Sequence, residues 1–271
     1  MTGPLGAFGT IAARIATQQD VGLFFDEIWI RRVADRYYGD KSSFDYYAEE
    51  FKSWNYIHDL WANDPVDCWL HHYQPTPGDT IVDIGAGFGN DAIVFSRAVG
   101  PTGTVVAIEA HPASFRKLKK TCKWNQLSNV VAVEIAVSER NGVVAITGED
   151  DNAANSIGGG EEGAYRYEVA ARRFDDIASE LGLEEIALLK MNIEGAEREA
   201  LLGMPNALQR TSRVAIACHD FRAQAGQSDF FRTKDFVRQL LTHAGFALQF
   251  REGDARPYVA DTVYGVRIRR S

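Results

Sequence analysis

The sequence predicts an α/β fold with a mostly parallel seven-stranded sheet and helices on both faces of that sheet. From about residue 80, short apolar runs alternate with segments of helical periodicity, the pattern of successive β-α-β units. Strands are expected near residues 80–84, 104–108, 130–136, 186–192, 213–218, 245–250 and 263–269, with a short additional strand at 142–147. Helices are expected near residues 90–99, 112–125, 174–181, 195–209 and 233–244, where Pro112 and Gly182 occupy favoured terminal positions.

The first predicted strand runs directly into a glycine-rich turn and then a helix, with the sequence TIVDIGAGFGND over residues 80–91. Gly85, Gly87 and Gly89 carry no side chain where the backbone turns sharply, and the helix start that follows offers free N–H groups to a ligand. The Gly-x-Gly-x-Gly spacing is shorter than the Gly-x-Gly-x-x-Gly spacing of dinucleotide-binding turns, and Asp83 lies two residues before the first glycine. The turn therefore predicts a nucleotide-like ligand.

An acidic residue ends the next predicted strand. Residues 105–108 read VVAI and are followed by Glu109, which is placed to accept both hydroxyl groups of a ribose. An ordinary tight turn would account for the glycines alone, but not for the strand, the helix and the second acid around them. Asp83, the glycine turn and Glu109 together resemble motif I and its companion acid in class I S-adenosylmethionine-dependent methyltransferases. The resemblance implies a Rossmann-like class I methyltransferase fold with S-adenosylmethionine as cofactor.

A second group of motifs resembles one family within that class. The segment ALLKMNIEGAE at residues 187–197, the Ala136-Val137 turn and RFDD at 173–176, taken with the glycine turn, resemble the FkbM-type methyltransferases over roughly residues 78–250. The family consists mostly of O-methyltransferases that act on hydroxyl groups of sugars and secondary metabolites. It usually has an aspartate where this chain has Asn192, and an amide cannot replace a carboxylate as a base or strong cation ligand.

The resemblance implies a role for each residue of the donor site. The turn residues would shape the site, Glu109 would bind the ribose, and Asp83 would act through the turn and the amino group of the donor. Ile135 and Ala136, at the end of the third predicted strand, would lie against the adenine. The expected cofactor-binding residues are Asp83, Gly85, Ala86, Gly87, Gly89, Glu109, Ile135 and Ala136.

Polar residues at two further strand ends are the candidate catalytic groups. His219 and Asp220 follow the strand that ends at Cys218, and a histidine beside an acid suits proton removal from an alcohol. His219 is the first candidate for the base, with Glu194, Asp220 and Asn192 orienting the acceptor or a cation. The same oxygen donors favour assistance by Mg²⁺, although no residue is assigned as a metal ligand.

Residues 1–75 differ from the rest of the chain because they are dense in aromatic residues and contain few turn signals. We expect a mostly helical N-terminal cap that belongs to the same domain as the methyltransferase fold of residues 76–271. The cap could be a substrate-binding lid or could only complete the core. A polar, glycine-rich loop at 148–163 is expected to be a second lid.

Composition limits the partners. The net charge of −8 disfavours a nucleic acid or an anionic membrane, so neutral or cationic substrates fit better. The family resemblance implies a small-molecule or oligosaccharide acceptor. The three cysteines lack metal-site spacing, and no stretch has the pattern of a signal peptide or a membrane span, which together favour a cytoplasmic protein. Whether the chain forms a homo-oligomer stays open.

The acceptor is the least constrained feature. The family favours a saccharide, and the chain resembles more loosely the actinobacterial methyltransferases of methylmannose polysaccharide assembly, which implies a mannoside-type oligosaccharide. A hydroxyl of a polyketide or other secondary metabolite is an alternative. So is a catalytically degenerate binding protein on the same fold, since Asn192 replaces the usual acid. The short glycine spacing and the EGAE segment argue against a nicotinamide-dependent dehydrogenase.

Overall fold

The computed structural model describes residues 10, 21–26, 28–33, 35–39, 64–147, 156–157 and 166–268. Its strands are β1 (Val21–Asp26), β2 (Ile28–Val33), β3 (Arg36–Gly39), β4 (Thr80–Ile84), β5 (Thr104–Glu109), β6 (Val130–Glu134), β7 (Ala136–Val137), β8 (Gly142–Thr147), β9 (Ser156–Ile157), β10 (Arg166–Arg172), β11 (Ile186–Met191), β12 (Thr211–Ala217), β13 (Phe246–Gln249) and β14 (Thr262–Arg267). Its helices are α1 (Asn90–Val99), α2 (Pro112–Trp124), α3 (Phe174–Glu180), α4 (Glu197–Leu202), α5 (Pro205–Gln209), α6 (Asp220–Gln224), α7 (Lys234–His243) and α8 (Pro257–Ala260).

The main sheet has seven strands in the order β13-β14-β12-β11-β4-β5-β6, which confirms the predicted α/β fold. The five strands from β12 to β6 pair in parallel, whereas β14 is antiparallel to both of its neighbours. The chain leaves β4 in one direction, toward β5, and returns to add β11 on the other side. The carboxyl ends of β4, β5, β11 and β12 therefore meet at one edge of the sheet, around a topological switch point where ligands bind in such folds.

Alternating side chains of the central strands build a core on each face of the sheet. Val82 and Leu189 pack on one face with helices α3, α4, α5 and α7, while Ile81 and Leu188 pack on the other face with Phe95 of α1. Strands covered on both faces need apolar residues at successive positions, which explains the continuous apolar runs in the sequence. Each of these side chains stabilises the fold by about 1.5–3 kcal/mol through burial.

Two predicted elements are divided in the structure. The helix expected at 195–209 becomes α4 and α5, separated at Gly203. A Cβ at Gly203 would lie 2.0 Å from the carbonyl oxygen of Ser138, so the close approach of another loop requires glycine there. The strand expected at 130–136 becomes β6 and β7, and β7 joins a second sheet of order β7-β10-β8-β9.

The expectation of helices is wrong for residues 21–39. Strands β1, β2 and β3 form an antiparallel sheet instead. Val21, Leu23 and Val33 are buried against Ile93 of α1, and Val21 and Leu23 show a two-residue period that indicates a strand rather than a helix. Asp26 fixes this sheet to α2, because it pairs with Lys120 at 3.0 Å and accepts the indole N–H of Trp124 at 3.0 Å.

Two other expectations fall largely outside the described residues. Most of the aromatic stretch at 44–69, and all of the loop at 148–163 except β9, lie outside the described residues. The segment Cys68–Tyr73 is described, and it packs into the core beside Tyr264. None of the described helices has the length and apolar character needed to cross a membrane.

Candidate active site

A cavity of about 290 Å³ lies at the carboxyl ends of β4, β5 and β11. The structure places most of the predicted donor-site residues in its wall: Gly85, Ala86, Gly87, Glu109, Ile135 and Ala136. Two other predicted residues, Asp83 and Gly89, do not line it. These six residues thus share one cavity wall, and their role in donor binding stays a prediction.

The three glycines of the turn are required for different structural reasons. All three have positive φ angles, of 79° at Gly85, 55° at Gly87 and 86° at Gly89. A Cβ at Gly85 would lie 2.0 Å from the carbonyl oxygen of Asn192, so this glycine allows β4 and β11 to approach closely. A Cβ at Gly89 would meet Leu118 at 2.7 Å, so that glycine serves the packing of α1 on α2. At Gly87 a Cβ would meet no atom within 4 Å, which leaves the turn open toward the cavity.

Glu109 is held in place by the backbone of two other residues. The N–H of Gly87 donates to its Oε2 at 2.8 Å, and the N–H of His111 donates to its Oε1 at 2.8 Å. Burial raises the pKa of Glu109 to about 7, and the two N–H groups oppose that rise. Each carboxylate oxygen retains a free lone pair, so the group can still accept two hydroxyl donors.

The wall of the cavity fits S-adenosylmethionine. Ile135, Ala136, Val137 and Ile146 form an apolar patch beside Glu109 that suits an adenine ring next to a ribose. Asp64 and Asp91 also line the cavity, and their carboxylates suit the ammonium group of the methionine part. An open glycine turn, a carboxylate for the ribose and acids for the ammonium match the three parts of this cofactor.

A buried ion pair between Asp83 and Lys190 stabilises the glycine turn. Asp83 and Lys190 are register partners on β4 and β11, so their side chains meet on one face of the sheet at 2.7 Å. Lys190 also donates to the carbonyl oxygen of Gly85 at 3.0 Å and pairs with Asp91 at 3.2 Å. Its ammonium group lies 5.0 Å from the ring centroid of Trp69. Lys190 thus connects the glycine turn, an acid of the cavity wall and an aromatic ring.

Burial acts on both members of this pair. Burial alone would lower the pKa of Lys190, but the carboxylates of Asp83 and Asp91 outweigh this effect and raise the pKa. Burial raises the pKa of Asp83, against the attraction of Lys190. Lys190 is therefore protonated, and Asp83 supports the turn through that cation and not through direct contact with the donor cavity.

A second cavity of about 450 Å³ adjoins the first. Four residues line both cavities: Trp69, Asn192, Glu194 and Tyr258. The second cavity is completed by His219, Phe221, Arg222 and Gln227. Sequence reasoning missed Asp64, Asp91 and Tyr258 as site residues, because nothing in their local sequence distinguishes them from helix-start acids and core aromatics.

Glu194 lies where the two cavities meet, in an unusual backbone conformation. Its φ angle of 55° is rare for a residue other than glycine, and such strain is often found at functional sites. Oε1 faces Nε2 of His219 at 3.2 Å, and Oε2 accepts a hydrogen bond from Arg222 at 2.5 Å. Burial would raise the pKa of Glu194, but these two cations outweigh it and lower that pKa.

His219 is buried between two carboxylates. Nδ1 lies 3.0 Å from Glu197, and Nε2 faces Glu194. Burial would lower the pKa of His219, but the two carboxylates outweigh it and raise the pKa to about 9. The ring is thus an imidazolium at neutral pH, with no free lone pair to accept a proton. Its role as the base stays a prediction, and the geometry favours a cation that holds Glu194.

The predicted catalytic role of Asp220 needs correction. Its Oδ2 accepts the backbone N–H groups of Thr233 and Lys234 at 3.0 Å each, at the start of α7, and Asp220 lines neither cavity. An acid at that position stabilises a helix by satisfying its free N–H groups. The tertiary contact with α7 turns the side chain away from the cleft.

The structure does not support the expected cation site either. Across the part of the chain that the structure describes, no group of three or more His, Cys, Asp or Glu side chains has an arrangement that could hold a metal ion. The oxygens of Glu194 are engaged by His219 and Arg222, and Asp220 caps a helix. Asp220 therefore does not face this site, and the charge of Glu194 is already balanced by two cationic groups.

Comparisons with known proteins agree with this geometry. A family model described as the Methyltransferase FkbM domain matches residues 83–248. The 2-O-methyltransferase NoeI of Sinorhizobium fredii is 28% identical over 167 residues, which cover 56% of this chain and 68% of NoeI. The 31-O-demethyl-FK506 methyltransferase FkbM of Streptomyces tacrolimicus is 27% identical over 194 residues, covering 59% of this chain and 73% of that protein.

One solved structure is similar over part of the chain. The crystal structure of methyltransferase FkbM from Methylobacillus flagellatus aligns with a TM-score of 0.48 and 18% identity, over 70% of this chain and 43% of that chain. The family model extends from Asp83 on β4 to residue 248 on β13, which is more than half of this chain and includes the glycine turn, Glu109 and the EGAE segment. The chain therefore belongs to the FkbM family of S-adenosylmethionine-dependent methyltransferases.

Proposed function

We propose that the protein transfers the methyl group of S-adenosylmethionine to a hydroxyl group of an uncharged saccharide. One observation carries this proposal: Asn192 and Glu194 line both the donor cavity and the adjoining second cavity. A group in the second cavity would meet the reactive end of the donor at these two residues. The two curated relatives described above are named for transfer to oxygen, at a 2-O and a 31-O position.

The lining of the second cavity supports a saccharide acceptor. Trp69, Phe221 and Tyr258 offer aromatic rings, which suit the apolar faces of a sugar. Amide and guanidinium groups of Asn192, Gln227 and other residues offer donors and acceptors for its hydroxyls. A mannoside-type oligosaccharide is the finer proposal, and it rests on the sequence resemblance alone.

Charge supports an uncharged acceptor. The cations of His219 and Arg222 are paired with the carboxylates of Glu194 and Glu197, so these four charges cancel. An anionic acceptor would find no free cation among these four groups, and its desolvation would cost free energy without compensation. A neutral polyol avoids this cost.

Glu194 is the group we propose to contact the reacting hydroxyl. The bound donor supplies an electrophilic methyl group, and the protein aligns an acceptor oxygen with it. Such alignment contributes on the order of 7 kcal/mol or more. Glu194 would accept the hydrogen bond of the hydroxyl and take its proton as the new C–O bond forms. His219 and Arg222 hold the carboxylate in position, and the amide of Asn192 orients the acceptor.

A transfer assay with a panel of acceptors tests the proposal. Radiolabelled S-adenosylmethionine is offered with neutral mannose disaccharides, other neutral disaccharides, a phosphorylated sugar, a polyketide alcohol and a phenol. We expect transfer to a neutral saccharide and loss of transfer in Glu194→Gln, with Glu252→Gln as an exposed acid control. Transfer only to the polyketide alcohol would favour a secondary-metabolite enzyme, which the relative acting on 31-O-demethyl-FK506 makes the second candidate. Donor binding without any transfer would indicate a degenerate binding protein.

A further inference from the structure

Glu197 is a fully buried carboxylate that lines neither cavity. Its Oε1 accepts the backbone N–H of Gly195 at 3.1 Å and lies 3.0 Å from Nδ1 of His219. Its Oε2 accepts the hydroxyl of Thr233 at 2.9 Å. A buried carboxylate is costly unless a cation and hydrogen-bond donors compensate it. His219 is the cation that pairs with it among the residues that the structure describes.

The ring of His219 connects Glu197 to the place where the two cavities meet. Nδ1 faces Glu197 and Nε2 faces Glu194. Only the protonated ring has an N–H on each nitrogen, so only that form can donate to both carboxylates. The remaining charged groups nearby are Arg222, which binds the other oxygen of Glu194, and Asp220, which caps α7.

We propose that Glu197 is a positioning residue for methyl transfer. Acting through His219, it keeps an N–H directed at Glu194 and so holds that carboxylate where the acceptor hydroxyl would lie. If Glu197 lost its charge, His219 could release a proton or turn the lone pair of Nε2 toward Glu194. In the tautomer with its lone pair on Nε2, the ring would repel Glu194, and if the shared proton moved to Glu194, that carboxylate could not receive the proton of the acceptor.

A merely structural role for Glu197 is the competing explanation. Through Thr233, the same carboxylate joins α4 to the residue that precedes α7. Thr233→Val removes that bond with little change in shape and leaves the contact with His219 intact. If Glu197 served only as a structural link, Glu197→Gln and Thr233→Val would both lower the melting temperature, and neither would lower kcat.

The first test is an NMR titration of the full chain labelled with ¹⁵N-histidine, using His219→Asn to assign the signal. We expect His219 in the unmodified protein to stay protonated at neutral pH and to titrate near pH 9, the pKa that its two carboxylates impose. Glu197→Gln should move the titration to lower pH, and Thr233→Val should not. A neutral His219 at pH 7 in the unmodified protein would overturn the proposal without any variant. So would an unchanged titration in Glu197→Gln.

The second test is kinetic, and this part rests on the proposed function. With the acceptor found in the panel, Glu197→Gln should lower kcat by roughly 100-fold, at the lower end of what positioned proton transfer contributes. The KM for S-adenosylmethionine should not change, and Glu197→Asp should recover part of the rate. Full kcat in Glu197→Gln would overturn the proposal. If no acceptor is methylated, the proposed function fails, while the titration still decides whether Glu197 holds His219.

Discussion

Replacement of Glu109 by glutamine tests the donor site most directly. The carboxylate accepts the N–H of Gly87 on one oxygen and the N–H of His111 on the other. A glutamine keeps the size of the side chain, but its NH₂ group must then face one of these N–H donors. The amide therefore loses an acceptor for the ribose as well as the negative charge. The variant changes recognition of the donor without opening a cavity.

The expected loss follows from the number of hydrogen bonds. One hydrogen bond to a charged group contributes about 1.5–3 kcal/mol. Because about 1.4 kcal/mol changes affinity tenfold, Glu109→Gln should weaken donor binding by roughly 10- to 150-fold. Burial raises the pKa of Glu109 to about 7, so in the unmodified protein donor binding should also weaken as the pH falls through that value. The glutamine variant should lack this pH dependence.

Isothermal titration with S-adenosylhomocysteine measures the loss of affinity and its pH dependence. The titrations are made between pH 5.5 and pH 8.5, about 1.5 units on either side of the pKa of Glu109. Glu134→Gln is the matched control, because Glu134 is the register partner of Glu109 on β6 and is exposed. It should bind the donor as the unmodified protein does. Equal affinities for the Glu109→Gln and Glu134→Gln variants would refute the assignment of Glu109 to the ribose.

Four further outcomes are expected. Gly87→Ala should lower stability by only about 1–2 kcal/mol, because of its left-handed backbone, but should sharply weaken donor binding. Gly85→Ala should lower stability more, because its methyl group would lie 2.0 Å from a carbonyl oxygen. Thermal denaturation and donor titration distinguish the two variants. Asp220→Ala should lower the free energy of unfolding by about 1 kcal/mol as a lost helix cap and leave kcat unchanged, and a large fall in kcat would restore its catalytic role. Treatment with EDTA should leave turnover unchanged, and rescue of an EDTA-treated enzyme by Mg²⁺ would contradict the side-chain arrangement described here. The pKa of His219 is raised to about 9, so its ion pairs should stabilise the fold fully below pH 6.5 and lose that effect as the pH rises through 9. The unfolding free energy of the unmodified protein should therefore fall over this pH range more than that of the His219→Asn variant.

Most elements of the main sheet were predictable because their signals are local. The apolar runs at β4, β5 and β11 reflect burial on both faces, and the helix at 90–99 was predicted with its observed ends. The strands at 21–33 were missed because exposed and aromatic residues, such as the 60% exposed Phe25, obscure their two-residue period. Their partners lie far away in the chain, on α1 and α2, and no local pattern reports such contacts.

The sequence predicted some residues of the candidate site but not the contacts between them. Gly85, Gly87 and Glu109 could be found because backbone conformation and strand-end position limit which residues work there. Lys190 lay within a motif that was recognised, but its pairing with Asp83 requires β4 and β11 to be neighbours in register. Because β4 and β11 are far apart in the sequence, no local pattern could predict that Lys190 and Asp83 pair.

The sequence by itself determined the seven strands of the main sheet, the glycine turn and the family. These features depend on residues close together in the chain, where periodicity and backbone freedom act directly. Only the tertiary structure decided which strand-end groups face the cleft. It turned Asp220 to a helix start and enclosed His219 between Glu194 and Glu197. The direction and charge of a side chain depend on neighbours brought close by folding, and those neighbours come from other strands and helices.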